Sequence, residues 1–150
     1  MTATNHALTG ALIGLSVGNP WIAAPAALLS HFVCDALPHF GHGKETKHIK
    51  TKAFRNYLVA DASLCTILVI ILAITQPRHW LLAAACAFLA ASPDFLWIRK
   101  FRSVRYHTKW QPTWLDKFAA DIQWFQRPIG AVVEAVWFVG ATLLLVQFLH

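Results

Sequence analysis

At 150 residues the chain is long enough for one domain, yet 57% of it is apolar and only 13% charged, about half the charge of an ordinary soluble domain. A soluble domain this small leaves much of its surface in water and could not hide so much apolar area, which excludes an ordinary soluble enzyme. The net charge of +6 does not point to nucleic acid, because the basic residues lie between apolar blocks, where Lys and Arg set membrane topology and meet anionic lipid.

In chain order, a first apolar helix is expected from about Thr4 to Gly18, stopped by Asn19-Pro20. It is short for a full span, so a tilted or re-entrant course is open. The first six residues carry no Lys or Arg, as a signal peptide would, so the N-terminus is expected to stay in the mature protein. A second helix runs from about Trp21 to Leu37 and ends at Pro38. A basic stretch follows with Lys44, Lys47, Lys50, Lys52 and Arg55. Tyr57 to Thr75 is then an apolar run whose one charge is Asp61, and Trp80 to Ile98 is another, containing only Asp94. The tight Gln76-Pro77 turn makes these two a hairpin.

A second basic stretch holds Arg99, Lys100, Arg102, Arg105, Lys109 and Lys117. Within it, Thr113 to Gln126 reads as an amphipathic helix, with Trp114, Leu115, Phe118, Ile122 and Phe125 at helical spacing, suited to a membrane interface. The last run, Pro128 to Leu149, contains only Glu134. The expectation is therefore an all-α polytopic membrane helix bundle in one domain, residues 1–150, with about five apolar helices plus the interfacial one. With Arg127, the two basic stretches carry 12 of the 13 Lys and Arg. By the positive-inside rule they and the N-terminus are cytoplasmic in a multi-pass inner-membrane protein. Cys34, Cys65 and Cys86 lie in apolar runs without C-x-x-C spacing and read as small packing residues in a reducing compartment.

Six ionisable residues then stand inside or at the ends of apolar helices: His6, His31, Asp35, Asp61, Asp94 and Glu134. Each costs about 2.5–3.5 kcal/mol at a helix centre on insertion scales. With the topology above, all six fall at one depth, near the basic face. His6, Gly10, Gly14 and Gly18 form a small-residue stripe, as do Ala83, Ala87, Ala90 and Asp94, so the ionisable groups are expected to point into the bundle. Four carboxylates with no Lys or Arg beside them cannot all ionise at low dielectric unless protons or cations neutralise them. A divalent metal supplies that charge, and His with Asp/Glu suits zinc first and manganese second. His31-x-x-x-Asp35 puts two ligands one turn apart on one face. Asp61 and Glu134 are expected to complete the site from their own helices, as ligands or as general base.

His6, the run Ser30-His31-Phe32-Val33-Cys34-Asp35-Ala36-Leu37-Pro38-His39 and Ser92-Pro93-Asp94 resemble the membrane-bound metal-dependent hydrolase family. These small bacterial membrane proteins resemble in turn the zinc-dependent phospholipase C group. The resemblance implies metal-ligand roles for His6, His31, Asp35 and Asp94, with His39 as a further candidate, and hydrolysis of a phosphoester or lipid headgroup. Where that family often shows P-D-x-D-H, this chain continues Phe95-Leu96-Trp97, and G-H-R-G-x-T-H has only an echo in Gly41-His42-Gly43-Lys44. Membrane lipids are the expected partners. The alternative is a non-catalytic protein that binds or conducts a cation or proton through the same cluster, which in so small a chain calls for a homo-oligomer. A purely structural bundle requires mostly protonated carboxylates.

Overall fold

The computed structural model describes residues 1–41 and 47–149. Among the described residues the chain is all-helical, and its one β-type pairing is an isolated bridge between His39 and Gln126. The helices are α1 (Ala3–Val17), α2 (Pro20–Ala36), α3 (Lys52–Thr75), α4 (Trp80–Ala91), α5 (Leu96–Tyr106), α6 (Trp114–Ile122) and α7 (Gly130–Val146). Their starts follow local chemistry. Thr2, Asn19 and Thr51 cap α1, α2 and α3 with side-chain oxygens, and Pro20 occupies the first turn of α2. Thr113 and Asp116 form a reciprocal capping box at α6.

Among the described residues, two helices are long and apolar enough to cross a membrane: α3, with 24 residues, and the continuous Trp80–Tyr106 rod, with 27. The rod is α4 passed through the 3-10 turn Ser92–Phe95 into α5. The helix thus runs on past Ile98, where the apolar run ends, through the basic residues that follow. They are helical because Pro93 sits in the first turn of the 3-10 segment, where its missing N–H is not needed. Helices α1, α2 and α7, with 15, 17 and 17 residues, are shorter than the roughly 20 a full span requires. The amphipathic helix also stops early, at Ile122. Beyond it, Gln126 pairs with His39 and the Arg127 N–H donates to the His39 carbonyl at 3.1 Å, so this backbone is bonded away from the helix.

Helix α1 lies at the centre, packed on α2, α3, α4 and α7. Its contact with α4 is backbone on backbone: a Cβ at Gly14 would lie 2.6 Å from the Ala83 Cα, and one at Gly10 would meet the Cys86 carbonyl. Only glycine permits that approach. It seats Ala7, Ala11 and Leu15 among Ala83, Ala87, Leu68 and Leu72, and it holds the start of α1 beside the end of α4. The two basic stretches meet at one end of the molecule, where Lys50 Nζ lies 3.2 Å from His107 Nε2 and Phe54 packs edge-on to Phe101. Lys44 and most of the glycine-histidine echo lie outside the described residues.

Candidate metal centre

His6 is brought in by α1 and His31 by α2. Both are buried, and their rings stack with centroids 4.0 Å apart. Asp35, one turn beyond His31 on α2, reaches both: Oδ1 lies 3.1 Å from His6 Nε2 and Oδ2 lies 3.3 Å from His31 Nε2. Asp94 enters from the 3-10 turn after α4. One donor atom each from His6, His31 and Asp94 lie within 4.8 Å of one another. The stripe that carries Asp94 works as its spacing suggests, because Ala83, Ala87 and Ala90 are buried beneath it.

The hydrogen bonding fixes the tautomer of His31. His31 Nδ1 lies 2.8 Å from the Ala90 carbonyl oxygen, which can only accept. Nδ1 therefore carries the proton, and in a neutral ring Nε2 presents a lone pair. That lone pair faces a carboxylate oxygen, so something positive must lie between them: a proton, making an imidazolium, or a metal. The stacked His6 ring cannot also be charged without repulsion. Among the described residues, His6 Nδ1 is buried without a partner, and no hydrogen-bond donor reaches the Asp94 carboxylate. Asp35, by contrast, is well held. The Met1 amino nitrogen bonds its Oδ1, and the Gln123 amide donates to Oδ2 at 2.8 Å. Gln123 stands just past the end of α6. Its role depends on how α6 folds back over α2, which no spacing rule encodes.

Asp61 and Glu134 do a different job from the one their depth suggested. Asp61 Oδ2 accepts from the Ala3 N–H and Oδ1 from the Thr4 N–H, both at 2.9 Å, and the Thr4 hydroxyl also donates to Oδ1. Glu134 Oε2 accepts from the Thr2 N–H at 3.0 Å and Oε1 from the Phe40 N–H at 2.9 Å. The opening N–H groups of a helix have no partners within it and carry its positive dipole end. Here α3 and α7 supply carboxylates to them, so three of the four oxygens hold the start of α1 and the fourth, Glu134 Oε1, holds Phe40. These residues position His6 and do not face the histidine pair as donors. Asn5 adds to the clamp, its side-chain amide donating to the Glu134 carbonyl at 3.1 Å.

His39 is fully buried but stands outside the His6, His31 and Asp94 group. Its Nδ1 lies 2.8 Å from the Leu37 carbonyl, and its backbone packs where a Cβ on Gly130 would sit. Burial, with the Met1 amino group second, holds its imidazole below the usual range. Close spacing to His31 in sequence does not carry it into the cluster, because Pro38 turns the chain away at the end of α2.

Asp94 and Asp61 line a half-open cavity of about 1510 Å³ between α3 and the α4–α5 rod. The cavity continues past Leu58, Ala62, Val69 and Phe88. No family model matches this chain, and neither a curated protein nor a solved structure matches it.

Proposed function

We propose that this chain is a membrane-embedded, metal-dependent hydrolase of a phosphoester at headgroup level, with its metal held by His6, His31, Asp94 and Asp35. The observation that carries the reading is the His31 ring, anchored through Nδ1 to the Ala90 carbonyl with its Nε2 lone pair toward Asp35. A backbone carbonyl accepting from the far ring nitrogen is a usual way for a histidine ligand to be oriented. The separations agree: two donor atoms each about 2.0–2.1 Å from a tetrahedral zinc stand roughly 3.3 Å apart, against 3.1 and 3.3 Å here. A charge-assisted N–H···O bond is shorter, about 2.7–2.9 Å. These are also the residues in which the chain resembles the membrane-bound metal-dependent hydrolases.

A bound zinc, or manganese, would supply a water acidified toward neutral pH and a Lewis acid for the phosphoryl oxygen. The protein's own residues set the stage. Ala90 fixes the His31 tautomer, Gln123 fixes the Asp35 carboxylate, and Asp61 and Glu134 hold α1 so that His6 stays stacked on His31. Asp94, with no donor on its carboxylate, opens the centre to the cavity. The membrane setting is supported by the apolar side chains that α3 and α7 turn outward, among them Ile67, Ile70, Ile74, Val132, Val136 and Val139. It is also supported by the gathering of basic residues at one end, which the positive-inside rule assigns to the cytoplasm.

Elemental analysis of the purified protein tests the centre. Wild type is expected to retain stoichiometric zinc or manganese, and His31→Ala to lose it while keeping its helical content. A second reading, a metal-free cluster that holds or passes a proton, is favoured by the Met1 amino nitrogen on Asp35, which already neutralises one carboxylate. Metal-free wild type with unchanged stability after chelation would decide for it.

A further inference from the structure

The cavity beside Asp94 is graded. Its apolar part is an open trough between α3 and α4, lined by the exposed side chains Leu58, Ala62, Thr66, Val69 and Phe88. Asp94 and Asp61 stand at the middle. Its outer part, about six residues or roughly 9 Å further along α5, holds Trp97, Lys100 and Trp110. The Lys100 ammonium lies 4.8 Å from the Trp97 ring centre and 5.4 Å from that of Trp110. No carboxylate pairs with it among the described residues. The Trp110 indole N–H is buried without an acceptor. A cation without a counter-anion and an N–H without an acceptor, side by side at the cavity mouth, are a vacancy for an anion.

Resting on the hydrolase reading for its chemistry, we infer that the cavity holds a phospholipid. One acyl chain lies between α3 and α4, the phosphoester stands at Asp94, and a second anionic group of the head is received by Lys100 and the Trp110 N–H. An open apolar trough, a polar middle and a lysine flanked by two tryptophans follow the order of parts in such a lipid. A soluble phosphoester would use the outer two thirds only and would leave the apolar trough without purpose.

The test uses the full chain reconstituted in vesicles, with two photoactivatable phospholipids of identical diazirine-bearing acyl chain. One carries a glycerophosphate head with a second phosphate, the other phosphocholine. Crosslinks are expected on Ala62, Thr66 and Phe88, about tenfold stronger for the bisphosphate lipid, as one charge-assisted contact provides. Lys100→Gln should erase that preference and keep the chain crosslinks. Thr66→Trp should remove the groove crosslinks for both lipids, and Ala62→Leu, a milder filling, reports the same if the tryptophan variant does not fold. Labelling spread over the outer face of α7 and unmoved by either substitution would overturn the groove. Headgroup preference surviving Lys100→Gln would overturn the anion site. Displacement by soluble glycerol bisphosphate alone would show that the head, without the chain, is the ligand. Metal analysis of the same samples separates the two claims: groove labelling without metal removes the hydrolase and keeps the lipid, and metal without groove labelling does the reverse.

Discussion

Two sets of acidic groups stand at the same depth and behave in opposite ways. Asp61 and Glu134 have every carboxylate oxygen bonded to a backbone N–H or hydroxyl at the start of α1 or at Phe40. Asp35 takes the Met1 amino group and the Gln123 amide and also faces two imidazole nitrogens, whereas no donor reaches Asp94 among the described residues. The first set is electrostatically complete within the protein. The second is incomplete at Asp94. An ionisable residue in an apolar helix is therefore not a site in itself. What separates architecture from chemistry is whether the surrounding chain has already answered its charge.

The comparison breaks most sharply at His31. His31→Ala is expected to abolish metal retention, a loss of at least 10–100-fold in affinity, since even outer-shell changes cost that much. Metal content by elemental analysis checks it. Retention in this variant would merge the two sets into one structural network.

Gly10→Ala comes next. The new methyl group meets the Cys86 carbonyl and Ala90, and overpacking of this kind costs about 1–3 kcal/mol. Because α1 must move to accept it, His6 shifts from His31, so a lowered melting temperature and a weakened metal should appear together. Stability lost with metal affinity intact would mean that His6 is not a donor.

Asp61→Asn sharpens the other side. An amide has one accepting oxygen where the carboxylate has two, so one of the Ala3 and Thr4 N–H groups is left unmet at about 1–3 kcal/mol. Thermal unfolding should register the loss, with metal content held near wild type. Loss of metal with stability preserved would return Asp61 to the donor set.

The smallest effect is at α6. The Thr113 backbone N–H holds the Asp116 carboxyl below its ordinary range. A depressed carboxyl contributes stability above its unfolded value, near 3.9, and that contribution is lost as pH falls through the lower folded value. Thr113→Ala should cost about 1 kcal/mol, and acid should fray α6 before the rest. Limited proteolysis between residues 113 and 123 at falling pH reads it.

Much of this was legible in the sequence. The apolar runs, the Gln76-Pro77 turn and the glycine and alanine stripes follow from periodicity and sterics, and they already direct His6, His31, Asp35 and Asp94 inward. Long-range satisfaction was not legible. That Asp61 and Glu134 serve the first turn of α1 depends on backbone N–H groups, which every residue but proline has and which leave no mark in a sequence. Gln123 and the Ala90 carbonyl escaped for the same reason. His39 entered the candidates through the family resemblance, and it stands outside the His6, His31 and Asp94 group because Pro38 turns the chain at the end of α2. The helical course of residues 96–106 was hidden because their charge resembles a loop, whereas in the structure they form an amphipathic continuation of a span.

The bond from the Thr2 N–H to Glu134 joins residues 132 positions apart. The Ala3 and Thr4 N–H groups, by contrast, are met by Asp61 of α3, some 58 positions along the chain. The seat of His6 is thus secured in two stages, first by a carboxylate of α3 and then by one of α7.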